Sequence, residues 1–267
     1  MKLDNKVIVV TGAGSGMGRE LTIQLVQKGS KVAMADINVK GMQETAAIVG
    51  EQNVSIHEVN IADKSIVEAL PEQVIAKHGK VDGIINNAGI IQPFINVNEL
   101  NYDIIERIMN INFYGTLYMT KAFLPYLMKR PEAHIANISS MGGFIPFPGQ
   151  TFYGASKAAV KLLTEGLYAE LKDTNVNVTI IHPGAINTSI MSNSGVQSLE
   201  EEAKAKKDSA NQTLAADKAA EIILQAIEKN KYRAMVGKDA KMLDILYRIA
   251  PKFAVNMITK QMAKTKR

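Results

Sequence analysis

A tyrosine and a lysine four residues apart are well suited to proton transfer. Tyr153 and Lys157 lie in an alanine-containing segment that favours helix, and their spacing places both side chains on one helical face. A phenol titrates near pH ~10, too high for acid–base work at neutral pH, but a nearby ammonium stabilises the phenolate. Because such pairs also occur on ordinary solvated helices, the spacing alone leaves both interpretations open.

A glycine-rich segment near the N-terminus offers a place for a phosphate. The apolar run at 6–10 predicts a strand, glycines occupy positions 12, 14, 16 and 18, and a helical pattern covers 19–28. Glycine permits a tight turn and a close approach of backbone to ligand, and a helix N-terminus attracts an anion. The segment therefore predicts a dinucleotide cradle, with a merely flexible loop as the alternative.

A carboxylate ends the second apolar run, which spans 31–35. Asp36 stands where the adenosine ribose would lie, and a carboxylate accepts hydrogen bonds from ribose hydroxyls but repels a 2′-phosphate. Neither position 15 nor position 37 carries a basic residue that could bind that phosphate. The sequence favours NAD(H) over NADP(H), with Asp36 as a simple cap of the helix beginning near Asn38 as the alternative.

Four further motifs follow along the chain. They are Asn86-Asn-Ala-Gly89, Asn112 within Met109-Asn-Ile-Asn-Phe-Tyr-Gly115, Asn137-Ile-Ser-Ser140, and Pro183-Gly-Ala-Ile-Asn-Thr188. Together with the glycine segment and the tyrosine–lysine pair, they resemble the classical short-chain dehydrogenase/reductase family. The resemblance covers the chain from Asp4 to about Gly237.

The resemblance implies a catalytic set of four residues. Tyr153 would be the acid/base, Lys157 would lower its pKa and hold the nicotinamide ribose, and Ser140 would hydrogen-bond the substrate oxygen. Asn112 would keep a water near Lys157 as part of a proton relay, and the family uses this side chain to distort its helix. An amide that only satisfies local backbone is the other interpretation of Asn112.

The resemblance also implies where the dinucleotide would bind, with NAD preferred to NADP. The implied cofactor residues are Gly12, Ser15, Gly16, Met17, Gly18, Asp36, Ile37, Asn60, Ile61, Asn86, Ala88, Gly89, Tyr153, Lys157, Pro183, Gly184, Ile186 and Thr188.

Substrate preference must come from the walls around the catalytic residues, and these are largely apolar. A polar, charged stretch at about 189–213 is typical of a lid that closes over substrate. We expect a hydrophobic secondary alcohol or ketone as substrate. The candidate substrate residues are Ser140, Gly142, Phe144, Phe147, Gln150, Tyr153, Ile190 and Met191.

Length and apolar periodicity predict the fold independently. The 267 residues, 46% of them hydrophobic, can bury one substantial α/β core. Apolar runs at 6–10, 31–35, 54–59, 81–85, 134–138, 176–181 and 232–236 alternate with helical patterns. The prediction is a single-domain, Rossmann-type, doubly wound parallel sheet of about seven strands with helices on both faces, in a catalytic domain over 1–237.

Composition argues against several other functions. There is no cysteine, and the four histidines are scattered without ligand spacing, so we expect no metal site. The N-terminus has no signal-peptide pattern and no apolar run reaches ~18 residues. The expectation is a soluble, cytoplasmic protein.

The segment 238–267 carries eight basic and two acidic residues. Its net charge of +6 therefore exceeds the net charge of the whole chain, which is +5. Its pattern is helical and amphipathic, with a break near Pro251. We expect this extension to pack on its own domain or on an oligomer mate; peripheral contact with an anionic membrane is the less favoured alternative. Nucleic-acid binding is disfavoured because no aromatic stacking platform accompanies the charge.

These observations favour an NAD(P)-dependent oxidoreductase that interconverts a secondary alcohol and a ketone by hydride transfer. Two alternatives stay open: a non-catalytic dinucleotide-binding regulatory or scaffold protein, and an NADPH-dependent carbonyl reductase of the 3-oxoacyl type. The resemblance further implies a homotetramer or homodimer, paired through helices over 101–129 and 154–172.

Overall fold

A single parallel sheet organises the computed structural model, which describes residues 1–196 and 213–265. In these residues seven strands pair in parallel in the order β3-β2-β1-β4-β5-β6-β9. The strands are β1 Val7–Thr11, β2 Lys31–Asp36, β3 Val54–Glu58, β4 Gly83–Asn86, β5 Ala133–Ile138, β6 Val176–Pro183 and β9 Arg233–Val236. The predicted doubly wound sheet and its seven strands are confirmed.

Helices cover both faces of this sheet. They are α1 Gly16–Gln27, α2 Val39–Val49, α3 Lys64–His78, α4 Tyr102–Met109, α5 Thr116–Leu127, α6 Thr151–Leu171, α7 Ile190–Asn193, α8 Ala216–Glu228, α9 Lys238–Ile249 and α10 Pro251–Thr265. Short 3₁₀ turns occur at Glu51–Asn53, Val97–Glu99 and Met141–Gly143, and a π-helical turn at Asn110–Gly115 joins α4 to α5.

The central strand β1 shows why the two layers form. Its five residues are all buried, as expected of a parallel strand covered on both faces. Ile8 and Val10 point into the core beneath α1, α2 and α8, whereas Val7 and Val9 belong to the core beneath α3, α5 and α6. The alternation of side chains along a strand thus feeds two hydrophobic cores from one apolar run.

Local capping fixes the helix ends near the site. The carboxylate of Asp63 accepts hydrogen bonds from the backbone N–H groups of Ser65 and Ile66 and so caps α3. The cap of α2 is Asn38, whose side chain accepts from the N–H of Gly41. Asp36 is therefore not the N-cap residue of α2, which was the alternative interpretation of this side chain.

A second pair of strands lies beside the main sheet. β7 (Ile186–Asn187) pairs in parallel with β8 (Leu214–Ala215), two residues each. Both are too short to leave a periodic signal in sequence. The predicted lid at about 189–213 begins with α7, but its part at 197–212 lies outside the described residues.

The C-terminal segment forms two helices, α9 and α10, separated at Ala250. Pro251 begins the second helix, at a position where its missing N–H removes no hydrogen bond. Leu243, Ala254 and Ile258 are buried with Ile145 of the loop that precedes α6. The extension thus packs through one face on its own chain.

Candidate active site

The candidate site lies where the order of strands reverses, at the carboxyl ends of β1 and β4 and of the neighbouring strands. Parallel α/β sheets bind ligands in the crevice at such a switch point. Four of the predicted motifs end these strands or directly follow them, so the topology gathers segments that lie far apart in sequence.

Ser140 and Tyr153 face each other across this crevice. Ser140 follows β5, and its Oγ accepts a hydrogen bond of 3.0 Å from the backbone N–H of Gly142. Tyr153 lies in the first turn of α6, and both residues line the same cavity. Tyr153 is half-buried; burial raises the pKa of its phenol, whereas the nearby Ser140 hydroxyl lowers it.

Lys157 lies one helical turn beyond Tyr153 and is buried. Its Nζ donates a 3.0 Å hydrogen bond to the backbone carbonyl of Ile138. Burial lowers the pKa of Lys157 to about 8. The buried Ser139 hydroxyl donates to the backbone carbonyl of Lys157 at 2.7 Å, which supports the helix on the side of β5.

Asn112 is fully buried in the π-helical turn. Its Oδ1 accepts from the N–H of Ile90, and its Nδ2 donates to the carbonyl of Ile90 and to Ser156 Oγ, each at 2.9 Å. The π turn is a helix distortion of the kind that the family resemblance implies. The Asn112 amide satisfies the backbone of Ile90 and also contacts Ser156 of α6, so its contacts are compatible with both interpretations.

Gly89 separates Asn112 from Lys157. A Cβ added at Gly89 would lie 3.0 Å from Lys157 Nζ and 3.1 Å from Asn112 Oδ1. The two polar atoms therefore approach the same small volume, which a side chain at this position would fill. That volume is where the proposed relay water would have to reside.

Gln92, which was not among the predicted site residues, forms hydrogen bonds with the first residues of α6, the helix that carries Tyr153. Its side chain is fully buried, and Oε1 accepts from the backbone N–H groups of Phe152 at 2.9 Å and Tyr153 at 3.0 Å. Its Nε2 donates to the carbonyl of Gly149 at 2.8 Å, and Gln150 Nε2 donates to its backbone carbonyl. The signal available in sequence was indirect: the residue before α6 is Gln150, which is a poor N-cap.

The glycine-rich turn has the geometry of a phosphate cradle. Gly12 and Gly16 have φ values of +69° and +50°, in the left-handed region that disfavours other residues. Within the described residues no side chain caps the N-terminus of α1, so its first N–H groups remain directed at the crevice. Gly18 packs directly against the carbonyl of Gly12 and serves helix packing.

Asp36 is held in place at the far end of this cradle. Its Oδ2 accepts from the N–H of Gly14 at 2.8 Å, and its Oδ1 accepts from the N–H of Asn38 at 2.9 Å. The carboxylate thereby links the glycine turn to the start of α2. Its orientation is fixed before any ribose binds.

A cavity of about 370 Å³ runs from Asp36 to Gly89. It brings together many of the predicted cofactor residues: Gly12, Ser15, Gly16, Met17, Asp36, Ile37, Asn60, Ile61, Ala88, Gly89 and Thr188. Arg107 of α4 also lines it and was missed, since it is an exposed helix residue that nothing in the sequence pattern of α4 distinguishes. Gly18 and Asn86 are not on this wall; Asn86 instead donates to Asn137 Oδ1 at 2.8 Å inside the sheet.

A second cavity of about 380 Å³ adjoins the first and shares Met17, Asn87, Gly89, Thr188 and Ile190 with it. Its wall includes the predicted residues Ser140, Gly142, Phe147, Gln150, Tyr153, Lys157, Pro183, Gly184, Ile186, Ile190 and Met191. It also includes Ile91, Phe94, Ile138 and Met141, which the substrate prediction omitted. Most of these side chains are apolar.

Phe144, a predicted substrate residue, is not on this wall. Its ring lies edge-on to His182, with centroids 5.4 Å apart, and under the guanidinium of Arg233 at 5.6 Å. It packs with Leu246 and Tyr247 of α9. The C-terminal helices, whose position the sequence did not define, cover this residue.

Two hydrogen bonds attach the beginning of the predicted lid segment to the site. Asn193 Nδ2 donates to Ser15 Oγ at 2.9 Å, and the N–H of Ile91 donates to Ser194 Oγ at 3.0 Å. A third contact joins the C-terminal helices to the loop after β6, where the N–H of Ala185 donates to Asp239 Oδ2 at 2.7 Å. The walls of both cavities are therefore tied to distant parts of the chain.

The residues present fit a nicotinamide dinucleotide. The left-handed glycines and the N-terminus of α1 suit a pyrophosphate, the fixed carboxylate of Asp36 suits a ribose diol, and the two adjoining cavities provide an elongated space that ends at Tyr153.

Metal and membrane-spanning features are absent from the part of the chain that the structure describes. No group of three histidine, cysteine, aspartate or glutamate residues there could hold a metal ion. No described helix combines the length and apolar character needed to cross a bilayer.

Comparison with known proteins agrees with the geometry. The family model for short chain dehydrogenases matches residues 6–198. A putative oxidoreductase, SadH, of Mycobacterium tuberculosis is 37% identical over 253 residues, which cover 92% of this chain and 91% of SadH.

Solved structures with the same fold include nucleotide complexes. A short-chain dehydrogenase/reductase from Burkholderia phymatum in complex with NAD superposes with a TM-score of 0.82 at 23% identity, covering 93% of this chain and 96% of that one. A short chain dehydrogenase from Burkholderia cenocepacia in complex with NADP gives 0.80 at 26%, covering 97% and 99%. A 3-ketoacyl-(acyl-carrier-protein) reductase from Brucella melitensis complexed with NADH gives 0.77 at 26%, covering 87% and 96%.

These neighbours bind either NAD or NADP, so they support a nicotinamide dinucleotide without choosing between the two. With the family model matched over most of its length and SadH similar over nearly all of it, this chain belongs to the short-chain dehydrogenase/reductase family of oxidoreductases.

Proposed function

We propose that this protein is an NAD-dependent dehydrogenase or ketoreductase that interconverts an apolar secondary alcohol and the corresponding ketone. The observation that carries the proposal is that Ser140, Tyr153 and Lys157 lie together on the wall of a largely apolar cavity, which adjoins the cavity that holds the glycine turn and Asp36. A bound nicotinamide would accept or supply the hydride.

The residues of the chain divide the remaining work. Ser140 Oγ hydrogen-bonds the substrate oxygen and fixes its orientation, while the Tyr153 hydroxyl takes the proton of an alcohol or gives one to a ketone. The N–H of Gly142 holds Ser140 Oγ in place. Because both side chains line the same cavity, both groups can contact one substrate oxygen.

Lys157 and a water held by Asn112 carry the proton onward in this proposal. Lys157 Nζ is anchored to the carbonyl of Ile138, and it shares the volume beside Gly89 with Asn112 Oδ1. A pKa of about 8 leaves Lys157 able to give and take a proton near neutral pH. Its ammonium form also favours the phenolate of Tyr153, against the effect of burial.

The cavity wall supports an apolar substrate. Ile91, Phe94 and Phe147 line it, and Ile190 and Met191 of α7 approach from the lid. Burying apolar surface stabilises binding by about 0.8 kcal/mol per methylene, which corresponds to about fourfold in affinity. A series of secondary alcohols should therefore show kcat/KM rising about fourfold per added methylene until the cavity is filled.

That series is also the test of substrate class. NADH formation is followed at its nicotinamide absorbance for 2-alkanols of increasing length, with charged sugars of equal size as the matched comparison. Rising kcat/KM along the alkanols supports the proposal. Equal activity on charged sugars, with none on the alkanols, would contradict an apolar substrate while leaving the dehydrogenase itself established.

An NADPH-dependent reductase of 3-oxoacyl type is the second candidate, favoured by Arg107. This guanidinium lines the same cavity as Asp36 and could bind a 2′-phosphate. The carboxylate of Asp36 opposes that phosphate, and its two backbone hydrogen bonds hold it in position. We therefore favour NAD; a higher kcat/KM with NADPH than with NADH would reverse the choice.

A non-catalytic dinucleotide binder needs the glycine cradle but not the acid/base set. The presence of Ser140, Tyr153 and Lys157 on one cavity wall, with the buried Asn112 bonded to Ser156 of the same helix as Tyr153, supports turnover instead. Nicotinamide nucleotide binding without turnover across alcohols, ketones and 3-oxoacyl thioesters would favour the binder.

For the assembly we propose a homodimer or homotetramer. Large apolar side chains remain exposed on the helices that the family resemblance assigns to pairing, among them Tyr102, Tyr114 and Leu162. Light scattering of the purified chain should give a multiple of 29.1 kDa, and a monomer mass would refute this.

A further inference from the structure

The outward side of the two C-terminal helices exposes a row of large apolar side chains. Met242, Ile245 and Ile249 of α9 follow one another at helical spacing and are 56%, 60% and 78% exposed, and Phe253 at the start of α10 is 61% exposed. This row and the lysines beside it are called the C-terminal face below. Four such residues side by side form a patch, unlike isolated surface hydrophobics.

The C-terminal face is not the side that packs on the protein. The opposite side of the same helices buries Leu243, Ala254 and Ile258 against Ile145. The requirements of the fold are thus met by the inner side, and the outer row must be explained separately. Each helix therefore has a buried apolar side and, in addition, exposed apolar residues on its outward side.

Positive charge surrounds this row. Lys238, Lys241 and Lys252 are exposed and form no ion pair with any described residue. The only acidic side chains in 238–267 are Asp239 and Asp244. Asp239 accepts from the N–H of Ala185, and Asp244 pairs with Arg233 and Arg248, so neither neutralises the three lysines.

We propose that the C-terminal face binds peripherally to an anionic lipid surface. Apolar side chains flanked by lysines match the boundary of a bilayer, where the apolar row enters the headgroup region and each lysine meets anionic headgroups. No described helix can cross a membrane, so the contact is one of lying on the surface.

A second copy of the chain fits this face less well. Two-fold pairing would place the face against itself and bring Lys238, Lys241 and Lys252 opposite their own copies. Like charges brought together in this way oppose association. The charge of the face therefore selects an anionic occupant.

The face also lies on helices that pack against a loop of the substrate cavity. Their inner side packs on Ile145, and Met141 and Phe147 of the same loop line that cavity. Binding to lipid would place this loop close to the membrane surface. The proposal itself does not depend on which reaction the enzyme catalyses.

Vesicle sedimentation of the full-length protein tests the proposal. Vesicles of phosphatidylglycerol and phosphatidylcholine in equal parts are compared with pure phosphatidylcholine, at low salt and at about 0.5 M salt. The protein should pellet with the anionic vesicles alone and be released by salt. Two variants probe the face: Lys238→Glu with Lys241→Glu and Lys252→Glu, and Ile249→Ser with Phe253→Ser.

Matched variants elsewhere on the surface provide the controls. Lys77→Glu with Lys172→Glu and Lys229→Glu changes the net charge equally, and Ile48→Ser removes an apolar side chain that is 60% exposed. All substituted positions are exposed, and equal thermal midpoints will show that each variant folds. We expect at least a tenfold weaker vesicle affinity for both face variants and wild-type affinity for both controls.

Three results would overturn the proposal. The first is wild-type protein that stays in the supernatant with anionic vesicles at low salt. The second is equal loss in the face and control charge variants, which would mean a nonspecific effect of net charge. The third is a combination of two observations: the wild type does not bind vesicles, and the Ile249→Ser, Phe253→Ser double variant has a different oligomeric mass from the wild type. That combination would assign the C-terminal face to a second copy of the chain.

Discussion

At the scale of single residues, Asp36 is expected to determine the preference for NAD over NADP. Its two oxygens accept from the N–H groups of Gly14 and Asn38, so the side chain has a structural as well as a selective role. Asp36→Asn keeps an oxygen acceptor but removes the charge that repels a 2′-phosphate.

We predict that Asp36→Asn raises the ratio of kcat/KM for NADP to that for NAD by at least about tenfold, because one removed charge repulsion is worth about 1.4 kcal/mol or more. Steady-state kinetics with both nucleotides measures the ratio. Adding Arg107→Ala should lower it again, since Arg107 is the only lysine or arginine among the described residues that line the cavity with Asp36. An unchanged ratio in Asp36→Asn would remove Asp36 from cofactor selection.

The sequence could identify a site residue only where its chemical role shows in the spacing of neighbouring residues. The tyrosine–lysine spacing and the glycine segment did so, and both lie on the crevice. Gln92 and Arg107 did not, because one acts through backbone N–H groups sixty residues away and the other is placed by the packing of α4. Phe144 was assigned to the substrate from its neighbours in sequence, while packing under α9 decides its actual surroundings.

At the scale of elements, Gln92 determines how the catalytic helix begins. Helix α6 starts without a side-chain cap of its own, and Gln92 Oε1 satisfies the N–H groups of Phe152 and Tyr153 instead. It is a positioning residue, since it acts on Tyr153 through the backbone.

We predict that Gln92→Leu lowers kcat by tenfold or more and destabilises the fold by about 1–3 kcal/mol, because two buried N–H groups lose their acceptor. Gln92→Glu should recover part of kcat, since a carboxylate also accepts at a helix N-terminus but cannot donate to the Gly149 carbonyl as Nε2 does. The pH profile of kcat separates positioning from stability, because a displaced Tyr153 would titrate differently. Loss of stability with an unchanged kcat and pH profile would leave Gln92 a purely structural role.

The regular elements were predictable because each has its own apolar periodicity. The seven strands and the break near Pro251 follow from local pattern alone. The two-residue strands β7 and β8 do not, since their pairing depends on how the chain returns after the lid. A distortion of the helix at Asn112 was expected only from the family resemblance, and its form, a π turn at Asn110–Gly115, was not predicted because no propensity argument favours it.

At the scale of the whole molecule, buried histidines make stability depend on pH. Burial is the largest cause that lowers the pKa of His134 to about 3 and that of His182 to about 4, from an ordinary value of 6.5. Between pH 6.5 and 4 the unfolded chain therefore binds more protons than the folded protein. The free energy of unfolding must fall as the pH falls through this window.

We predict that His134→Gln makes this fall shallower. Each pKa unit is worth about 1.4 kcal/mol, so the wild-type His134 costs about 3 kcal/mol of stability at pH 4 relative to pH 7. Urea unfolding at pH 7 and at pH 4 measures the difference for both proteins. Equal differences in wild type and His134→Gln would show that His134 does not cause the acid sensitivity.

The central claim is that Tyr153 is the acid/base of a nicotinamide-dependent oxidoreductase. The most direct measurement is nicotinamide absorbance during turnover of the best 2-alkanol with NAD, in wild type, in Tyr153→Phe and in the control Tyr126→Phe, with NADH binding followed by fluorescence. We predict that Tyr153→Phe binds NADH as the wild type does but loses at least about a hundredfold in kcat, while Tyr126→Phe turns over normally. Wild-type turnover in Tyr153→Phe would contradict the account.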